Sequence, residues 1–486
     1  MKTLFVAVNA KYVHTNLAVR YLSLYCAETA DCSFAEYTIN EPVMQVLQKL
    51  YMADAQIYGF SCYIWNITYV LRLAEDLKKL KPNCKIFLGG PEVSFHAEEL
   101  LKEHPFLDCV VCGEGEKSVK ELLQSFPSER CVIQGEMFSD LSEMPFPYIA
   151  EDLAQIVAGE KLVYYETTRG CPFHCSYCLS SVTEGVRAIS VARAKCEIEQ
   201  LVHAGAYTVK FVDRTFNANR ARALELWQFC AALEGETKFH FEIGADLLDE
   251  ESIAFLRTVA PEKFQFEIGV QTTNSETIAA ISRKMDLERL KLNVRALREA
   301  GNIHLHLDLI AGLPFEDYVT FGNSFHDIYA LRPHALQLGF LKLLRGSVLR
   351  RDAEKYGMVY SGEAPYEVFC TNDLSYRDII CLHAIEDVLE RYYNSGRFEH
   401  SLPVAERFFV SSFSFYERLA VFWENRGLVG QGVKRIKLYE LLYAFLREET
   451  TGQDLTEFLQ NMRRDFVQWH SSGVGTPEWF RLTEQK

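Results

Sequence analysis

Short apolar runs and amphipathic segments follow one another regularly along the first part of the chain. Short continuous apolar runs predict buried strands, and segments with a helical spacing of apolar residues follow them. Such alternation is typical of a parallel, doubly wound (Rossmann-like) α/β sheet. Small residues follow the strands; they indicate either tight turns or a ligand crevice along the carboxyl edge of the sheet. The strands are predicted at residues 3–8, 56–61, 84–88 and 109–112.

A second series of strands and helices follows a Pro-rich join, Leu141–Pro147. Six parallel strands with helices between them favour a partial βα barrel over a flat sheet, although periodicity alone does not separate the two. From about Ser347 the strand pattern fades, and amphipathic runs at Asp378–Tyr393 and Val433–Arg447 predict a helical C-terminal region. The six strands are predicted at Leu162–Thr167, Thr208–Val212, Lys238–Ile243, Lys263–Gly269, His304–Ile310 and Leu336–Leu341.

These patterns predict four parts of the chain. We expect an N-terminal α/β domain over residues 1–132, a linker over 133–156, a barrel core over 157–345 and a helical domain over 346–486.

Composition narrows the class of protein. The chain has 486 residues, of which 48% are hydrophobic and 24% charged, as in ordinary globular proteins. No apolar run approaches the length of a membrane span, and the net charge of −15 argues against an extended nucleic-acid surface. The N-terminus lacks a secretory signal pattern, and eleven of the 14 cysteines are scattered singly. We therefore expect reduced thiols in a cytoplasmic protein.

The other three cysteines, Cys171, Cys175 and Cys178, lie in one loop just past a predicted strand. Thiolates hold iron–sulfur clusters, and three of them would leave one iron open for another ligand. Structural zinc is the alternative, with His174 as a cramped fourth ligand, but zinc sites normally take four well-separated ligands. Disulfides are disfavoured by the expected compartment. The spacing therefore favours a cluster with an open iron.

With its companion motifs, the Cys-x3-Cys-x2-Cys loop resembles the radical S-adenosylmethionine (SAM) enzymes. Phe211–Asn217 resembles the second-strand motif of the branch that carries a cobalamin-binding domain. Glu267–Thr272 and Asp308–Pro314 resemble the fourth- and fifth-strand motifs. The likeness covers roughly the first 345 residues and leaves the helical C-terminus unexplained.

This resemblance implies a cofactor set and its contacts. Cys171, Cys175 and Cys178 would ligate three irons of a [4Fe–4S] cluster, and the fourth iron would bind the amino and carboxylate groups of SAM. Reductive cleavage of SAM would then yield a 5′-deoxyadenosyl radical. The backbone at Tyr177 would lie near the adenine. Polar contacts to SAM are expected from three strand ends, at Asp213, Glu242 and Gln271, although Glu242 and Gln271 also suit ordinary polar positions in a barrel mouth.

The N-terminal segments Gly59–Cys62, Leu88–Pro91 and Gly113–Glu116 are similar to the cobalamin-binding domain of the same enzymes. The similarity implies cobalamin contacts at Ser61, Gly89, Gly90 and Glu114. The Asp-x-His-x-x-Gly frame that supplies a lower cobalt ligand elsewhere is absent. We therefore interpret His14 as an ordinary loop histidine and expect cobalamin without a protein histidine below it.

Methyl transfer to an unactivated carbon of an unknown small molecule or peptide is the main function that the resemblance implies. An electron donor such as flavodoxin or ferredoxin would then be a partner. Cobalamin-dependent ring closure or rearrangement stays open as an alternative. A tRNA methylthiotransferase-like enzyme is disfavoured by the acidic chain and by N-terminal cysteines that lie within predicted elements. A cobalamin- or redox-sensing regulator is disfavoured because no DNA-binding module is recognisable.

Overall fold

The computed structural model describes residues 1–183, 185–470 and 478–481. The chain forms two compact units. The first contains residues 1–266, 342–353 and 360–367, and the second contains residues 267–341, 354–359 and 368–486.

The first unit begins with a parallel sheet of six strands in the order β2-β1-β3-β4-β5-β6. This architecture confirms the predicted doubly wound α/β fold. Helices follow the first five strands: α1 (Leu17–Cys26), α2 (Val43–Ala53), α3 (Ile67–Leu80), α4 (Ala97–Glu103) and α5 (Glu116–Gln124). The strands are β1 (Lys2–Asn9), β2 (Asp31–Thr38), β3 (Ile57–Ser61), β4 (Lys85–Gly89), β5 (Cys109–Cys112) and β6 (Cys131–Gln134).

Two apolar layers cover this sheet, one on each face. Val70, Leu73 and Leu77 of α3 pack with Val6, Phe60 and other strand residues in the larger layer. The smaller layer joins α1 and α5 to the opposite face of the strands. Because β3 and β5 are buried on both faces, they read in the sequence as continuous apolar runs.

A second sheet has the strand order β14-β13-β12-β11-β10-β7, so its end strands are not paired with each other. The first unit holds β7, β10, β11 and the first three residues of β12, and the second holds the rest of β12 with β13 and β14. The β7–β10–β11 and β13–β14 pairings are parallel. The strands are β7 (Val163–Tyr165), β10 (Thr208–Phe211), β11 (Lys238–Glu242), β12 (Phe264–Gln271), β13 (His304–Ala311) and β14 (Ala335–Phe340).

The chain around this sheet is mainly helical. A short antiparallel pair, β8 (Thr168–Arg169) and β9 (Arg187–Ala188), brackets the cysteine loop. The remaining strands are β15 (Val359–Tyr360) and β16 (Val368–Cys370). The helices that precede or accompany the sheet are α6 (Ala150–Ala158), α7 (Val191–His203), α8 (Arg220–Ala232), α9 (Glu250–Leu256), α10 (Ser275–Ala280), α11 (Leu287–Ala300), α12 (Tyr318–Tyr329) and α13 (Val348–Arg351).

The C-terminal part of the second unit is helical, as predicted. Its core is aromatic: Tyr392, Tyr416 and Trp423 are fully buried, and the rings of Tyr392 and Trp423 meet edge to face at 5.9 Å. No helix in the described ranges is long and apolar enough to cross a membrane. The helices are α14 (Tyr376–Tyr392), α15 (Leu402–Glu406), α16 (Ser412–Glu424), α17 (Arg435–Glu449), α18 (Thr456–Trp469) and α19 (Glu478–Arg481).

Candidate functional site

The cysteine loop leaves the sheet at the carboxyl end of β7. Gly170 makes the turn with φ +97°, and a Cβ there would lie 2.1 Å from the carbonyl oxygen of Gly185, so only glycine fits. Cys175 is buried, and Cys171 and Cys178 are partly exposed. The Cys178 amide donates to the carbonyl of Cys175 at 3.1 Å, which closes the end of the loop into a turn.

The donor set fits an iron–sulfur cluster better than a single metal ion. Among the described residues, no three His, Cys, Asp or Glu side chains converge as a single ion requires. In a cluster each thiolate binds a different iron, so the three sulfurs need not point at one centre. The Ser180 amide donates to Cys178 Sγ at 3.4 Å, and Thr215 Oγ1 lies 3.7 Å from Cys171 Sγ. Hydrogen bonds to sulfur are among the features that tune cluster potentials.

Asp213 fixes the start of the cysteine loop to the end of β10. Its fully buried carboxylate accepts hydrogen bonds from the Thr167 amide at 3.0 Å and from the hydroxyls of Thr167 and Thr168 at 2.6 Å each. Burial raises the pKa of Asp213, and the threonine donors oppose that shift. Because both oxygens already have donors, the geometry favours a positioning role. A direct SAM contact by Asp213 stays a prediction.

Arg169 is surrounded by three carboxylates. Its guanidinium lies 2.9 Å from Glu166, 3.3 Å from Glu114 and 2.6 Å from Glu116. Although burial opposes it, these carboxylates hold the pKa of the Arg169 guanidinium above its ordinary value. Burial raises the pKa of Glu166 to about 6 despite the charge of Arg169. Arg169 therefore ties the cysteine loop to the loop that follows β5.

Glu114, a predicted cobalamin contact, has two arginine partners. Arg187 also pairs with it, and despite burial the Arg187 and Arg169 guanidiniums hold the pKa of Glu114 below its ordinary value. Its carboxylate still lines a cleft of the first unit. The cofactor contact itself stays a prediction.

This cleft encloses about 1540 Å³, including the part open to solvent. Strand ends of the first sheet and strand ends of β7, β10 and β11 contribute to it. Tyr63 and Trp65 present a stacked aromatic pair there, with ring centroids 4.4 Å apart and planes 6° from parallel. Lys210, Arg214 and Glu242 line the other side.

A narrower cavity of about 580 Å³, again including the part open to solvent, adjoins the cleft, since both share Tyr63, Gly90 and Gly113. Ser61, Gly89 and Gly90, the other predicted cobalamin contacts, line this cavity at the carboxyl edge of the first sheet. Gly90 has φ +110°, and a Cβ there would lie 2.6 Å from the carbonyl oxygen of Cys62. At the end of β4, Gly89 and Gly90 therefore present only backbone atoms to a mainly apolar cavity.

The remaining predicted residues lie in different parts of the chain. Tyr177 is partly exposed within the cysteine loop, and Glu242 lies in the cleft at the end of β11. Gln271, which belongs to the second unit, ends β12 with φ +77°, a strained conformation for a non-glycine residue. Its buried Oε1 has no hydrogen-bond partner in the described ranges. His14 lies in the cleft, packed edge-on against Tyr164 at 5.9 Å.

Sequence reasoning missed several residues of the site. It did not single out Arg169, Glu166, Thr215 or the Tyr63–Trp65 pair. One signal was available: Glu166 and Arg169 are charged residues three apart at the end of a buried strand, where an unpaired charge would be costly.

Fold and site thus define a doubly wound α/β domain followed by a parallel-strand domain with a three-cysteine loop. Comparison with family models identifies both parts: residues 3–123 match the B12 binding domain and residues 165–328 match the radical SAM superfamily. The chain therefore carries a region that matches the B12 binding domain, followed by a region that matches the radical SAM superfamily. Residues 354–486 match a family described as a protein of unknown function, DUF4080.

Two curated proteins are similar to much of this chain. The chain is 27% identical over 395 residues to the cobalamin-dependent radical SAM methyltransferase TokK of Streptomyces tokunonensis, covering 74% of this chain and 58% of that protein. It is 28% identical over 342 residues to a 2-(S-pantetheinyl)-carbapenam-3-carboxylate methyltransferase of Streptantibioticus cattleyicolor, covering 60% and 48% respectively. The chain thus spans about half the length of these curated relatives.

A solved structure shows the same fold. The cobalamin-dependent SAM radical enzyme OxsB with aqua-cobalamin bound superposes with a TM-score of 0.66 at 13% identity, over 96% of this chain and 84% of that one. At this identity the likeness establishes the fold alone.

Proposed function

We propose that this chain is a cobalamin-dependent radical SAM enzyme that methylates an unactivated carbon. The observation that carries the proposal is the cleft of the first unit. It joins the strand ends of the B12-binding domain to the strand ends beside the cysteine loop. A [4Fe–4S] cluster held by Cys171, Cys175 and Cys178 would supply the electron that cleaves SAM, and cobalamin would supply the methyl group.

The chain's own residues would hold these groups in place. Asp213 holds Thr167, before the cysteine loop, through buried hydrogen bonds. Arg169 holds the start of the loop through an ion pair with Glu116. Glu242 and Lys210, at strand ends in the cleft, offer a carboxylate and an ammonium group to the polar parts of SAM. Arg214 is an exposed cation in the cleft, next in sequence to Thr215 beside Cys171. It suits a carboxylate or phosphate.

The lining of the cavity beside Gly89 suits the apolar part of a large cofactor. Its lining combines glycine backbone with Val19, Leu22 and Phe87, and Ser61 and Glu116 add polar groups. The stacked rings of Tyr63 and Trp65 offer a flat apolar surface in the adjoining cleft. We therefore propose that cobalamin binds along this edge, with Ser61, Gly89, Gly90 and Glu114 as contacts and without a histidine below the cobalt.

The anaerobically reconstituted full chain tests the cofactor set. We expect about four irons per chain, since one [4Fe–4S] cluster holds four. We also expect about one cobalamin by visible spectrum and reductive cleavage of SAM to 5′-deoxyadenosine. Replacing Cys175→Ala should abolish cleavage, and Cys196→Ala, at an exposed cysteine outside the loop, should leave it unchanged. Cleavage that survives in Cys175→Ala would contradict the cluster assignment.

A glycine variant tests the cobalamin site separately. The position of a Cβ at Gly89 lies 3.7 Å from its nearest neighbour, so Gly89→Val can fold while its branches project toward the cavity. We expect it to lose cobalamin and keep its iron. Retention of cobalamin by Gly89→Val would place the cofactor elsewhere.

Two alternatives predict other products. A radical cyclase or rearrangement enzyme would form 5′-deoxyadenosine in turnover without S-adenosylhomocysteine. A tRNA methylthiotransferase-like enzyme would need a second cluster and therefore about eight irons. The N-terminal cysteines do not favour it, because Cys62, Cys109 and Cys112 are buried within or beside strands of the first sheet.

We further propose that the chain works in the cytoplasm with a flavodoxin or ferredoxin as electron donor, and that its substrate is a small molecule or peptide. The scattered free thiols and the net charge of −15 support this setting over a nucleic-acid partner. The domain limits at residues 132, 156 and 345 are likewise proposals.

A further inference from the structure

Two short segments of the first unit lie outside the B12-binding and radical SAM matches. Residues 342–353 and 360–367, here called the strap, pair with each other. Lys342 and Glu367 form an antiparallel bridge, and the Leu343 amide donates to the carbonyl of Tyr366 at 3.0 Å. Arg350 strengthens the pairing by covering the rings of Tyr360 at 5.2 Å and Tyr366 at 4.6 Å.

One end of the strap contacts the cysteine loop. The Leu349 amide, in the first turn of α13, donates to the carbonyl of Ser176 at 2.8 Å. Ser176 lies between Cys175 and Cys178, and both Leu349 and Ser176 are buried. The strap therefore holds the backbone of the segment that carries two of the three thiolates.

The other end contacts the loop that follows β4. Tyr366 donates its hydroxyl hydrogen to the buried carboxylate of Glu92 and accepts a hydrogen bond from Arg345 Nε at 2.9 Å. Arg345 Nε also lies 3.7 Å from Glu92. Glu92 follows Gly90 and Pro91, which line the cleft. The strap thus joins the loop proposed to face cobalamin to the loop proposed to hold the cluster.

Backbone conformation indicates that the Tyr366 contact is specific. Tyr366 has φ +59°, a left-handed conformation that is unfavourable for an aromatic residue. Such a conformation persists only where surrounding contacts fix it. Here those contacts are Glu92 and the two arginines that stack on the ring.

We propose that the strap sets the position of the cysteine loop relative to the cobalamin-facing loop, with the Tyr366–Glu92 hydrogen bond as its latch. Tyr366 and Glu92 are positioning residues, since neither touches a reacting atom. This role rests on the proposed function, but the effect of the strap on the cysteine loop can be tested without any cofactor.

Hydrogen exchange of the full chain without cofactors tests the latch. In Tyr366→Phe we expect the amides of Leu349 and Cys178 to exchange at least tenfold faster, while amides of β1 stay unchanged. Tyr360→Phe is the matched control: its ring also lies under Arg350, and its hydroxyl has no hydrogen bond in the described ranges. Glu92→Gln keeps an acceptor for the Tyr366 hydroxyl and should stay near wild type.

The proposal would be overturned if the amides of Leu349 and Cys178 exchanged as slowly in Tyr366→Phe as in wild type. A uniform rise in exchange across β1 and the loop would also overturn it, because that result indicates general destabilisation.

An experiment on protein that contains the cluster and cobalamin distinguishes this proposal from the proposed function. With the bound cobalt reduced to Co(I), we measure transfer of the methyl group from SAM to cobalt with release of S-adenosylhomocysteine. We expect Tyr366→Phe to slow this transfer at least tenfold with iron and cobalamin contents unchanged. A wild-type protein that transfers no methyl group contradicts the proposed function. An active wild type matched by an equally fast Tyr366→Phe contradicts the strap.

Discussion

A single buried carboxyl group, Glu316, connects the fifth-strand motif to the end of β12. Its Oε1 accepts from Thr272 Oγ1 at 2.5 Å and from Ser324 Oγ at 3.0 Å. Burial raises the pKa of Glu316 to about 7, against the lowering effect of these two donors. A buried carboxyl group of this kind makes the free energy of unfolding depend on pH, since the folded chain retains a proton that the unfolded chain releases.

Glu316 makes the stability of the second unit depend on pH. Its folded-state pKa lies above its ordinary value of 4.5, so its contribution is fully present below about pH 4.5 and is lost as pH rises through 7. We expect wild type to lose about 2 kcal/mol relative to Glu316→Gln between pH 5.5 and pH 8. Melting temperatures at pH 5.5 and pH 8 measure the difference, with exposed Glu276→Gln as control. Parallel melting curves for wild type and Glu316→Gln would contradict this prediction.

Asp213 holds the start of the cysteine loop through three hydrogen bonds. Asp213→Ala leaves the Thr167 amide and two hydroxyls without their acceptor, and an orphaned buried donor costs about 1–3 kcal/mol. We expect a melting temperature several degrees lower in the apo chain, whereas Asp31→Ala, at an exposed aspartate, should melt like wild type. If Asp213 served only as a SAM contact, the apo chain would melt normally and only SAM binding would weaken.

At the scale of elements, the sequence predicted strands best where at least one face is buried in the core. All six strands of the second sheet were predicted with ends within about two residues, because each carries a core face of Val, Leu, Ile or Phe. The edge strands Asp31–Thr38 and Cys131–Gln134 were not predicted. Both are only partly buried and have no more than three consecutive apolar residues, so their pairing depends on neighbours distant in sequence.

The site shows the same division. The three cysteines could be found from spacing alone, since one loop supplies them all. The Arg169 network and the strap could not, because Glu114 is 55 residues from Arg169 and Glu92 is 274 residues from Tyr366. Pairings at such separations follow from the fold rather than from any local pattern.

Arg169 makes three ion pairs beside the cysteine loop, two of them to carboxylates that follow β5. Lysine offers a point charge and cannot serve three carboxylates in the fork geometry of arginine. We expect Arg169→Lys to destabilise the chain by about 2–4 kcal/mol, measured as a melting temperature lower by about 5 °C or more. Arg407→Lys, at an exposed ion pair with Glu457, should change it little. Equal melting of Arg169→Lys and wild type would show that the three pairs do not act together.

At the scale of the whole molecule, the two compact units each have their own core, so a ligand of one unit should stabilise that unit selectively. Cobalamin at one hundred times its dissociation constant would stabilise the state that binds it by about 2.7 kcal/mol. We expect exchange of the most protected amides in β1, β3 and β4 to slow by about a hundredfold, since 1.4 kcal/mol is a factor of ten. Amides of α14, α16 and α17, in the second unit, should exchange at unchanged rates.

Gly89→Val should show no slowing, because its side chain projects into the proposed site. Equal slowing in both units would mean that the chain unfolds as one cooperative body, and slowing confined to α14, α16 and α17 would move the cobalamin site to the helical region.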